Sequence, residues 1–397
     1  MGAMFLQFDY YMPARILFGP GKLNALGEVP LPGKKALIVI SAGNSMRRLG
    51  YLERVQSLLE SQGIASVVFD KVLPNPIKSH VMEGAALAKQ ENCDFVIGLG
   101  GGSSIDSAKS IAVMAVNPGD YWDYIHGGTG KGMPVEHGAL PIVAITTTAG
   151  TGTEADPWTV ITKEETDEKI GFGNQYTFPT LSIVDPELML SVPKHLTAYQ
   201  GFDAFFHCAE GYIANIASPI SDMYALRAIE LIAQYLPICV AEGNNLEART
   251  NVALANTFAG FVQTVSSCTS EHSMEHALSA FHPELPHGAG LIMLSESYFT
   301  FFASKVPDRF VDMARAMGVD VDALPEEERP LSFITALLEL QEKCGVKDLK
   351  MSDFGIKRED IPTLAENARR TMGGLFERDR YQLSLEETAA IMERAFR

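Results

Sequence analysis

The chain lacks the features that mark disulfide-rich, zinc-cluster and nucleic-acid-binding proteins. It has five cysteines in 397 residues and no C-x-x-C pair, which disfavours both a disulfide framework and a structural zinc cluster. Its 32 Lys and Arg residues are outnumbered by 49 Asp and Glu residues, which gives a formal net charge of −17. Because nucleic acids and anionic membranes attract basic surfaces, this charge balance excludes a general affinity for either.

Long apolar runs and a leader-like segment are also lacking. No uninterrupted apolar run reaches membrane-spanning length, and the N-terminus does not join a basic segment to an apolar run and a small-residue cleavage site. Hydrophobic residues make up 46% and charged residues 20%, which is typical of a soluble globular protein. We therefore expect a cytoplasmic protein, and its length favours two domains over one.

Short β-branched runs alternate with helical patterns in the first half of the chain. Strands are predicted at residues 36–41, 66–70, 95–100, 141–148 and 181–186, with helices at 45–63 and around 82–89. Near-continuous apolar strands between helices indicate a parallel sheet that is covered on both faces. Helical patterns then dominate, at 197–216, 220–241, 247–267, 271–280 and 384–396. The sequence predicts an α/β domain over residues 1–192 and an all-α domain over residues 193–397.

A glycine-rich turn follows the third predicted strand and leads into a helix. Four of the five residues from Gly98 to Gly102 are glycines, which lets the backbone approach a ligand closely. The helix start offers free N–H groups and the positive end of its dipole, as a pyrophosphate cradle requires. The spacing is not a strict G-x-G-x-x-G, because position 103 is Ser, but a tight turn alone needs fewer glycines. The loop TTTAGTGTEAD (146–156) is a weaker signal for a second nucleotide contact.

The stretch EHSMEHALSAFHPELPHG holds four of the chain's nine histidines: His272, His276, His282 and His287. His272 and His276 share one helix face, and so do Asp203 and His207 upstream, because each pair is four residues apart. For Asp203 and His207 alone, a buried histidine beside a local carboxylate is the plain alternative. One Asp and three His suit Zn²⁺ or Fe²⁺ better than Mg²⁺ or Ca²⁺. The stretch holds more histidines than such a site needs, so spacing alone leaves the ligand set open.

Taken in order, these motifs resemble the iron-containing (group III) alcohol dehydrogenase family. The matching pieces are PARILFGPGKLNALG, GLGGGSSIDSAK, TTAGTGTEAD, IVDPEL, FDAFFHCAEGY and HSMEHALSAFHPELPHG, which run almost end to end. The resemblance implies a Rossmann-like N-terminal α/β domain, a helical C-terminal domain and an active site between them. It also implies hydride transfer between NAD(P)(H) and a small primary alcohol or aldehyde, with a metal that polarises the substrate oxygen.

The resemblance implies roles for individual residues. The implied ligands of one divalent metal, Fe²⁺ or Zn²⁺, are Asp203, His207, His272 and His287. His276 is implied to lie beside the metal, near the substrate and the nicotinamide, where we expect it to relay a proton. The residues implied in cofactor binding are Asn75, Gly101, Gly102, Ser103, Asp106, Thr147, Thr148, Thr151, Val160, Lys169 and the backbone near Leu188.

One departure from the family bears on the choice of cofactor. Many NAD-using members carry an Asp where this chain has Ser41, at the end of the first predicted strand. An Asp there accepts a hydrogen bond from the ribose 2′-hydroxyl and repels a 2′-phosphate. Ser41, with Ser45, Arg47 and Arg48 close by in sequence, is similar to the butanol-dehydrogenase-like branch. We therefore count Ser41 among the cofactor-binding residues and favour NADP(H) over NAD(H).

Several alternatives stay open or are disfavoured. Polyol oxidation of the glycerol dehydrogenase kind is an open alternative within the superfamily. A lyase resembling dehydroquinate synthase needs basic side chains for an anionic substrate, but residues 203–288 contain only Arg227 and Arg249 and no lysine. A non-catalytic metal or nucleotide sensor would need a further module, and the two predicted domains use the whole chain.

Other predictions concern the surroundings of the site and the assembly. Phe205, Phe206 and Phe281 would form either an apolar substrate wall or helix packing. The His272–His287 interval is one residue longer than in several family members, and we assign His282 within it no chemical role. A homodimer or a larger homo-oligomer is expected from the resemblance.

Overall fold

The computed structural model describes residues 8–397. Within them the strands are β1 (Arg15–Phe18), β2 (Lys35–Ser41), β3 (Ala65–Val72), β4 (Phe95–Gly100), β5 (Ile142–Thr146), β6 (Thr159–Lys163), β7 (Glu168–Phe172) and β8 (Leu181–Val184). The helices of the first half are α1 (Ser45–Arg48), α2 (Tyr51–Ser61), α3 (Lys78–Gln90) and α4 (Gly102–Met114). Those of the second half are α5 (Lys194–Ile213), α6 (Pro219–Ala241), α7 (Leu246–Val265), α8 (Ser270–Phe281), α9 (His287–Ala303), α10 (Pro307–Ala316), α11 (Arg329–Lys343), α12 (Ile361–Thr371), α13 (Gly373–Phe376) and α14 (Leu385–Ala395).

Six strands form one sheet in the order β1-β8-β5-β4-β2-β3, and every neighbouring pair is parallel. All residues of β4, β5 and β8 are buried, because helices cover both faces of the sheet. The predicted fold class, a parallel α/β domain followed by a helical domain, is confirmed. The strand order reverses between β2 and β4, so the glycine-rich turn after β4 lies where open α/β sheets bind their ligands.

The prediction of individual strands and helices is wrong or incomplete in several places. The edge strand β1 was missed, so the glycine-rich turn follows the fourth strand and not the third. The antiparallel hairpin of β6 and β7, which stands outside the main sheet, was also missed. The single helix predicted over residues 45–63 is two helices, because Gly50 has a φ of +73° and a left-handed residue interrupts the helical hydrogen bonds.

The helical half is organised around buried aromatic side chains. Phe205 stacks on Phe333 with ring centroids 6.1 Å apart, and Phe206 stacks on Phe299 at 5.8 Å. Phe205 and Phe206 are fully buried in this core, whereas Phe281 is 38% exposed at the end of α8. None of the three lines the cleft described below, so the alternative in which they form a substrate wall is wrong.

At 23 residues, α6 is long and apolar enough to cross a membrane by length and composition alone. It packs along α5 and α7 inside the helical half, and core helices pass the same test. Its composition is therefore weak support for a membrane span.

The chain passes from sheet to helices just after β8. Asp185 is fully buried there and accepts hydrogen bonds from the backbone N–H groups of Gly21 at 3.1 Å and Leu23 at 2.9 Å. This carboxylate ties the end of β8 to the turn after β1. The chain then enters α5 at Lys194, so the predicted boundary at residue 192 falls between the last strand and the first long helix.

Candidate active site

A cleft with a cavity volume of about 200 Å³ lies between the carboxyl ends of the strands and the helical half. Seven of the predicted cofactor-binding residues line it: Asn75, Gly102, Ser103, Asp106, Thr151, Val160 and Lys169. All five predicted metal-site residues line it as well: Asp203, His207, His272, His276 and His287. The tertiary structure thus brings together two groups of residues that the sequence places up to two hundred positions apart.

The glycine-rich turn needs glycine for specific steric reasons. Gly100 has a φ of +148°, and a Cβ there would lie 2.7 Å from the Ser104 hydroxyl. A Cβ on Gly102 would lie 2.4 Å from the Thr151 methyl group. The N-terminus of α4 therefore opens into the cleft with no side-chain cap over its N–H groups. This arrangement suits a pyrophosphate, which free N–H groups and the helix dipole both attract.

Five predicted cofactor residues do not line this cleft: Ser41, Gly101, Thr147, Thr148 and Leu188. Gly101 and Thr148 contact each other, since a Cβ on Gly101 would lie 3.2 Å from the Thr148 side chain. The backbone N–H of Thr147 donates to the Gly100 carbonyl at 2.9 Å and joins the two loops. The Leu188 side chain is buried in the core, and Ser41 is the last residue of β2. Their roles in cofactor binding stay predictions.

A buried network that the sequence-based prediction missed holds the loop after β5. Lys109 is fully buried and donates to the Thr153 hydroxyl at 2.7 Å, the Trp158 carbonyl at 2.7 Å and the Asp156 carbonyl at 2.9 Å. Asp106 accepts hydrogen bonds from the Thr153 hydroxyl at 2.8 Å and the Val160 N–H at 2.9 Å. Both carboxylate oxygens of Asp106 are thus used to tie α4 to the loop and to β6.

The predicted metal ligands converge on one carboxylate oxygen. Oδ1 of Asp203 lies 3.5 Å from Nε2 of His287, 3.6 Å from Nε2 of His272 and 3.6 Å from Nδ1 of His207. Both Asp203 Oδ1 and His272 Nε2 are buried without a hydrogen-bond partner. Ligand atoms at roughly 2.1 Å from one tetrahedral ion are about 3.4 Å apart. Asp203, His272 and His287, whose ligand atoms lie within 4.8 Å of one another, therefore fit a shared divalent metal.

Burial and charge favour an ionised Asp203 and a neutral His207. Burial opposes ionisation of Asp203, but the neighbouring His207, His287 and His272 hold its pKa below the usual range. Burial lowers the pKa of His207 to about 4 against the opposing pull of Asp203. Burial also lowers the pKa of His272, but Cys268, Glu210 and Asp203 raise it well above the usual range, so a metal would have to displace a proton from this ring. A charged carboxylate and a neutral imidazole are the forms that bind a metal.

Two glutamates behind the histidines were missed by the sequence-based prediction. Glu210 pairs with Nδ1 of His272, and Glu275 pairs with Nδ1 of His287; both glutamates are fully buried. When Nδ1–H donates to a carboxylate, Nε2 keeps its lone pair and faces Asp203. A sequence signal existed, because each glutamate follows a histidine by three residues in H-x-x-E. Each nevertheless pairs with a histidine further along the chain and not with the histidine of its own H-x-x-E.

Nδ1 of His207 and Nδ1 of His276 have other surroundings than Nδ1 of His272 and His287. Nδ1 of His207 lies 3.3 Å from the Gly150 carbonyl, which ties α5 to the loop after β5. His276 has no partner at Nδ1, and its ring centroid lies 5.4 Å from that of His287. Burial, followed by the charge of Lys169, lowers its pKa well below the usual range. His287 was predicted at a turn but is the first residue of α9, and His282 follows α8 outside the cleft.

Cationic side chains are scarce around the cleft. Within residues 8–397, Lys169 is the one Lys or Arg that lines it, and its Nζ donates to the Ser279 hydroxyl at 2.8 Å and to Asn75 Oδ1 at 3.3 Å. Arg249 is buried behind α5 and donates to the Gly243 and Val192 carbonyls. Arg227 pairs with a glutamate on the surface. Residues that line the cleft but were not predicted include Trp158, Gln263, Ser267, Cys268, Met372 and Leu375.

A glycine-rich helix start and a histidine–carboxylate metal centre facing one cleft define the class of nicotinamide- and metal-dependent oxidoreductases. The family profile of iron-containing alcohol dehydrogenases matches residues 13–186, and the C-terminal profile of the Fe-containing alcohol dehydrogenase family matches residues 197–396. The chain therefore belongs to the iron-containing alcohol dehydrogenase family. It is an alcohol dehydrogenase that uses a nicotinamide dinucleotide and a divalent metal.

Individual relatives cover nearly the whole chain. It is 35% identical to the 1,3-propanediol dehydrogenase of Klebsiella pneumoniae over 98% of this chain and 99% of that one. It is also 35% identical to the NAD-dependent methanol dehydrogenase of Bacillus methanolicus over 91% and 93% of the two chains. A solved archaeal halo-thermophilic alcohol dehydrogenase from a Red Sea brine pool superposes with a TM-score of 0.93 at 34% identity, covering 99% and 100%.

Proposed function

We propose that this dehydrogenase interconverts short, uncharged primary alcohols and their aldehydes. One divalent metal would be held by Asp203, His207, His272 and His287. The observation that carries the proposal is the convergence of Nε2 of His287, at 3.5 Å, and Nε2 of His272, at 3.6 Å, on one buried and unpartnered carboxylate oxygen of Asp203. A bound divalent metal supplies Lewis acidity, and a bound nicotinamide supplies or accepts the hydride.

The residues of the chain contribute position, exclusion of water and a path for one proton. Glu210 and Glu275 orient the rings of His272 and His287, so the lone pairs point toward Asp203. His276 is neutral and unpartnered at Nδ1, and it is our candidate to carry the hydroxyl proton of the alcohol away from the cleft.

The choice of an uncharged substrate rests on the cations of the cleft. Lys169 already donates to Ser279 and Asn75 and lies 3.6 Å from the Glu275 carboxylate. Among the described residues that line the cleft, no Lys or Arg is therefore left to bind an anionic group of a substrate. Trp158, Met372 and Leu375 add apolar wall. A panel of 1-butanol, 1,3-propanediol, glycerol and an anionic hydroxy acid tests this reading. A higher kcat/KM for the hydroxy acid than for 1-butanol contradicts it.

The metal assignment is tested by the double variant His272→Ala with His287→Ala. We expect both the metal content and the reduction of butanal to be lost, because two of four ligands are removed. His282→Ala is the matched control, since this histidine lies outside the cleft, and it should retain both properties. If the double variant keeps both its metal and its activity, the assignment of His272 and His287 as ligands is wrong. Metal analysis of protein purified without added metal decides between Fe²⁺ and Zn²⁺.

We further propose NADP(H) as the preferred cofactor, although the Bacillus methanolicus relative is NAD-dependent by name. The end of β2 carries Ser41 instead of an acid, so no carboxylate at that position repels a 2′-phosphate. Arg47 follows in α1 and is ion-paired to Asp70 on β3 at 2.6 Å. A 2′-phosphate would compete with Asp70 for this guanidinium, and both side chains are half exposed.

Kinetics with NADPH and NADH at equal concentration test the cofactor proposal. We expect Arg47→Ala to reduce the NADPH preference by about tenfold, the equivalent of about 1.4 kcal/mol, and Asp70→Asn to increase it. Arg54→Ala is the matched control, since Arg54 lies on α2 and donates to the Asn24 side chain at 2.8 Å. A strong NADH preference of the unaltered protein overturns the proposal.

Assembly and compartment are proposed on separate observations. The edge strand β1 has one unpaired side, and Phe8, Tyr10 and Tyr11 just before it are 52%, 45% and 55% exposed, which supports a homo-oligomer. All five cysteines are free, which supports a reducing cytoplasm. Light scattering at micromolar concentration tests the proposed homo-oligomer, and a monomer contradicts it. Cell fractionation tests the proposed cytoplasmic location.

A further inference from the structure

We propose that Cys268 gives the metal centre a second coordination mode, in which a thiophilic divalent ion binds His207, His272 and Cys268. The inference rests on the proposed metal-binding roles of His207 and His272. It adds a sulfur ligand that neither the helical spacing nor the family resemblance assigns.

Two overlapping sets of ligand atoms meet at His272. The ligand atoms of Asp203, His272 and His287 lie within 4.8 Å of one another, and so do those of His207, Cys268 and His272. A thiolate at roughly 2.3 Å and an imidazole nitrogen at roughly 2.1 Å from one tetrahedral Zn²⁺ are about 3.6 Å apart. Side-chain adjustment alone therefore brings the second set around one ion.

The shared histidine is free to serve either set. Nε2 of His272 is buried, with the residue 2% exposed, and has no hydrogen-bond partner. Its other nitrogen is taken by Glu210, which holds the ring in place. A buried and unpartnered nitrogen costs free energy, so either ion position satisfies it.

Cys268 is held in place by one side chain. Oε1 of Gln263 accepts hydrogen bonds from the Cys268 backbone N–H at 3.0 Å and from its Sγ at 2.9 Å. Nε2 of the same glutamine donates to the His207 carbonyl at 3.1 Å. Gln263 thus links the Cys268 sulfur to the helix that carries His207. This link keeps Cys268 and His207 close to each other.

The other thiols of the chain do not share this position. Among the five cysteines, Cys268 alone lines the cleft. Cys208 follows His207 directly but is fully buried in the helical core. Cys93 lies in the core of the α/β half. Cys268 is therefore the one thiol among the described residues that can reach an ion in this centre.

The two modes favour different ions. A soft thiolate selects Zn²⁺ or Cd²⁺ over Fe²⁺, whereas the carboxylate–imidazole set accepts Fe²⁺ as well. Binding through Cys268 releases the thiol proton to solvent, so the ion replaces H⁺ on sulfur. Because both modes need His272, an ion held by Cys268 excludes Fe²⁺ from the Asp203 position.

The test titrates the metal-free, full-length protein with Cd²⁺ and follows the ultraviolet absorption of a thiolate–cadmium bond. We expect this band to reach its plateau at one Cd²⁺ per chain, to be absent in Cys268→Ala and to persist in Cys93→Ala. Cys268→Ala should lower the Cd²⁺ affinity about tenfold or more and leave the Fe²⁺ affinity within about twofold.

The possible failures of this test are distinguishable. Stoichiometric Cd²⁺ binding without the band overturns the role of Cys268 while the histidine and aspartate ligands stand. A band that survives in Cys268→Ala also overturns it. If neither Cd²⁺ nor Fe²⁺ binds, the second mode fails together with the proposed metal centre.

Discussion

Glu210 on α5 pairs with Nδ1 of His272 on α8, although the two residues are 62 positions apart in the chain. The other oxygen of Glu210 accepts hydrogen bonds from the Thr269 N–H at 2.7 Å and hydroxyl at 2.9 Å. One buried carboxylate thus fixes the start of α8 and the tautomer of a proposed metal ligand. Packing of α5 against α8 and metal binding are coupled through this contact.

Glu210→Gln should lower metal affinity by about 10- to 100-fold, because Nδ1–H of His272 loses a charged acceptor while the shape of the side chain is kept. Competition titration with a chelator measures the change. Glu339→Gln is the matched control, since Glu339 is exposed on α11. An unchanged dissociation constant for Glu210→Gln would show that orientation by this carboxylate is unimportant.

Lys109→Met should destabilise the fold by about 3–5 kcal/mol, because it leaves the buried Asp156 carboxylate without the cation that lies 3.2 Å away. The Trp158 and Asp156 carbonyls lose their donor at the same time. Urea denaturation measures the loss, with Lys343→Met on the surface of α11 as the control. Equal stability of the two variants contradicts the prediction.

Gly102→Ala should weaken cofactor binding about tenfold or more, a loss of about 1.4 kcal/mol, because the new Cβ would lie 2.4 Å from Thr151 at the mouth of α4. Metal affinity should stay unchanged, since Asp203 and the histidines lie on other helices. Gly374→Ala is the control, because a Cβ there meets nothing within 4 Å. Fluorescence titration with NADPH and with NADH measures both variants, and equal affinities would disprove the steric argument.

Asp379 should make stability depend on pH. Burial raises its pKa to about 7, against hydrogen bonds from Ser270 and Tyr298. A carboxyl group whose pKa is raised on folding stabilises the fold when protonated, so its contribution is present below about pH 4 and lost as the pH rises toward 7. Asp379→Asn should remove up to about 1.4 kcal/mol per pH unit of this slope. Urea denaturation across this range checks it, and an identical slope in the variant counts against it.

Much of the site was predictable because it depends on residues within one element. The pairs Asp203–His207 and His272–His276 are one helical turn apart, so their shared faces follow from the 3.6-residue period. The glycine-rich turn follows from the run of glycines between a buried strand and a helix. The structure places these two signals in one cleft, as the family resemblance implied.

Other parts of the fold were missed for identifiable reasons. Strand β1 has only four residues and is recognisable through its pairing with β8, more than 160 positions away. The helices α9 to α13 were not predicted, and α12 is tied to β7 by the ion pair of Arg370 with Glu168 at 2.9 Å. Phe205 and Phe206 lie next to the ligand helix face in sequence, yet packing turns them into the core.

The sequence by itself determined the fold class, the family and the helical spacing of the histidines, because hydrophobic periodicity and local turns act within a few residues. Only the tertiary structure decided which carboxylate each histidine faces. Glu210 and Glu275 lie in the same helices as His207 and His272 but serve His272 and His287, because their side chains reach across helix interfaces. The position of Cys268 beside the same histidines is likewise decided by how α7 packs on α5 and by the turn that joins α7 to α8.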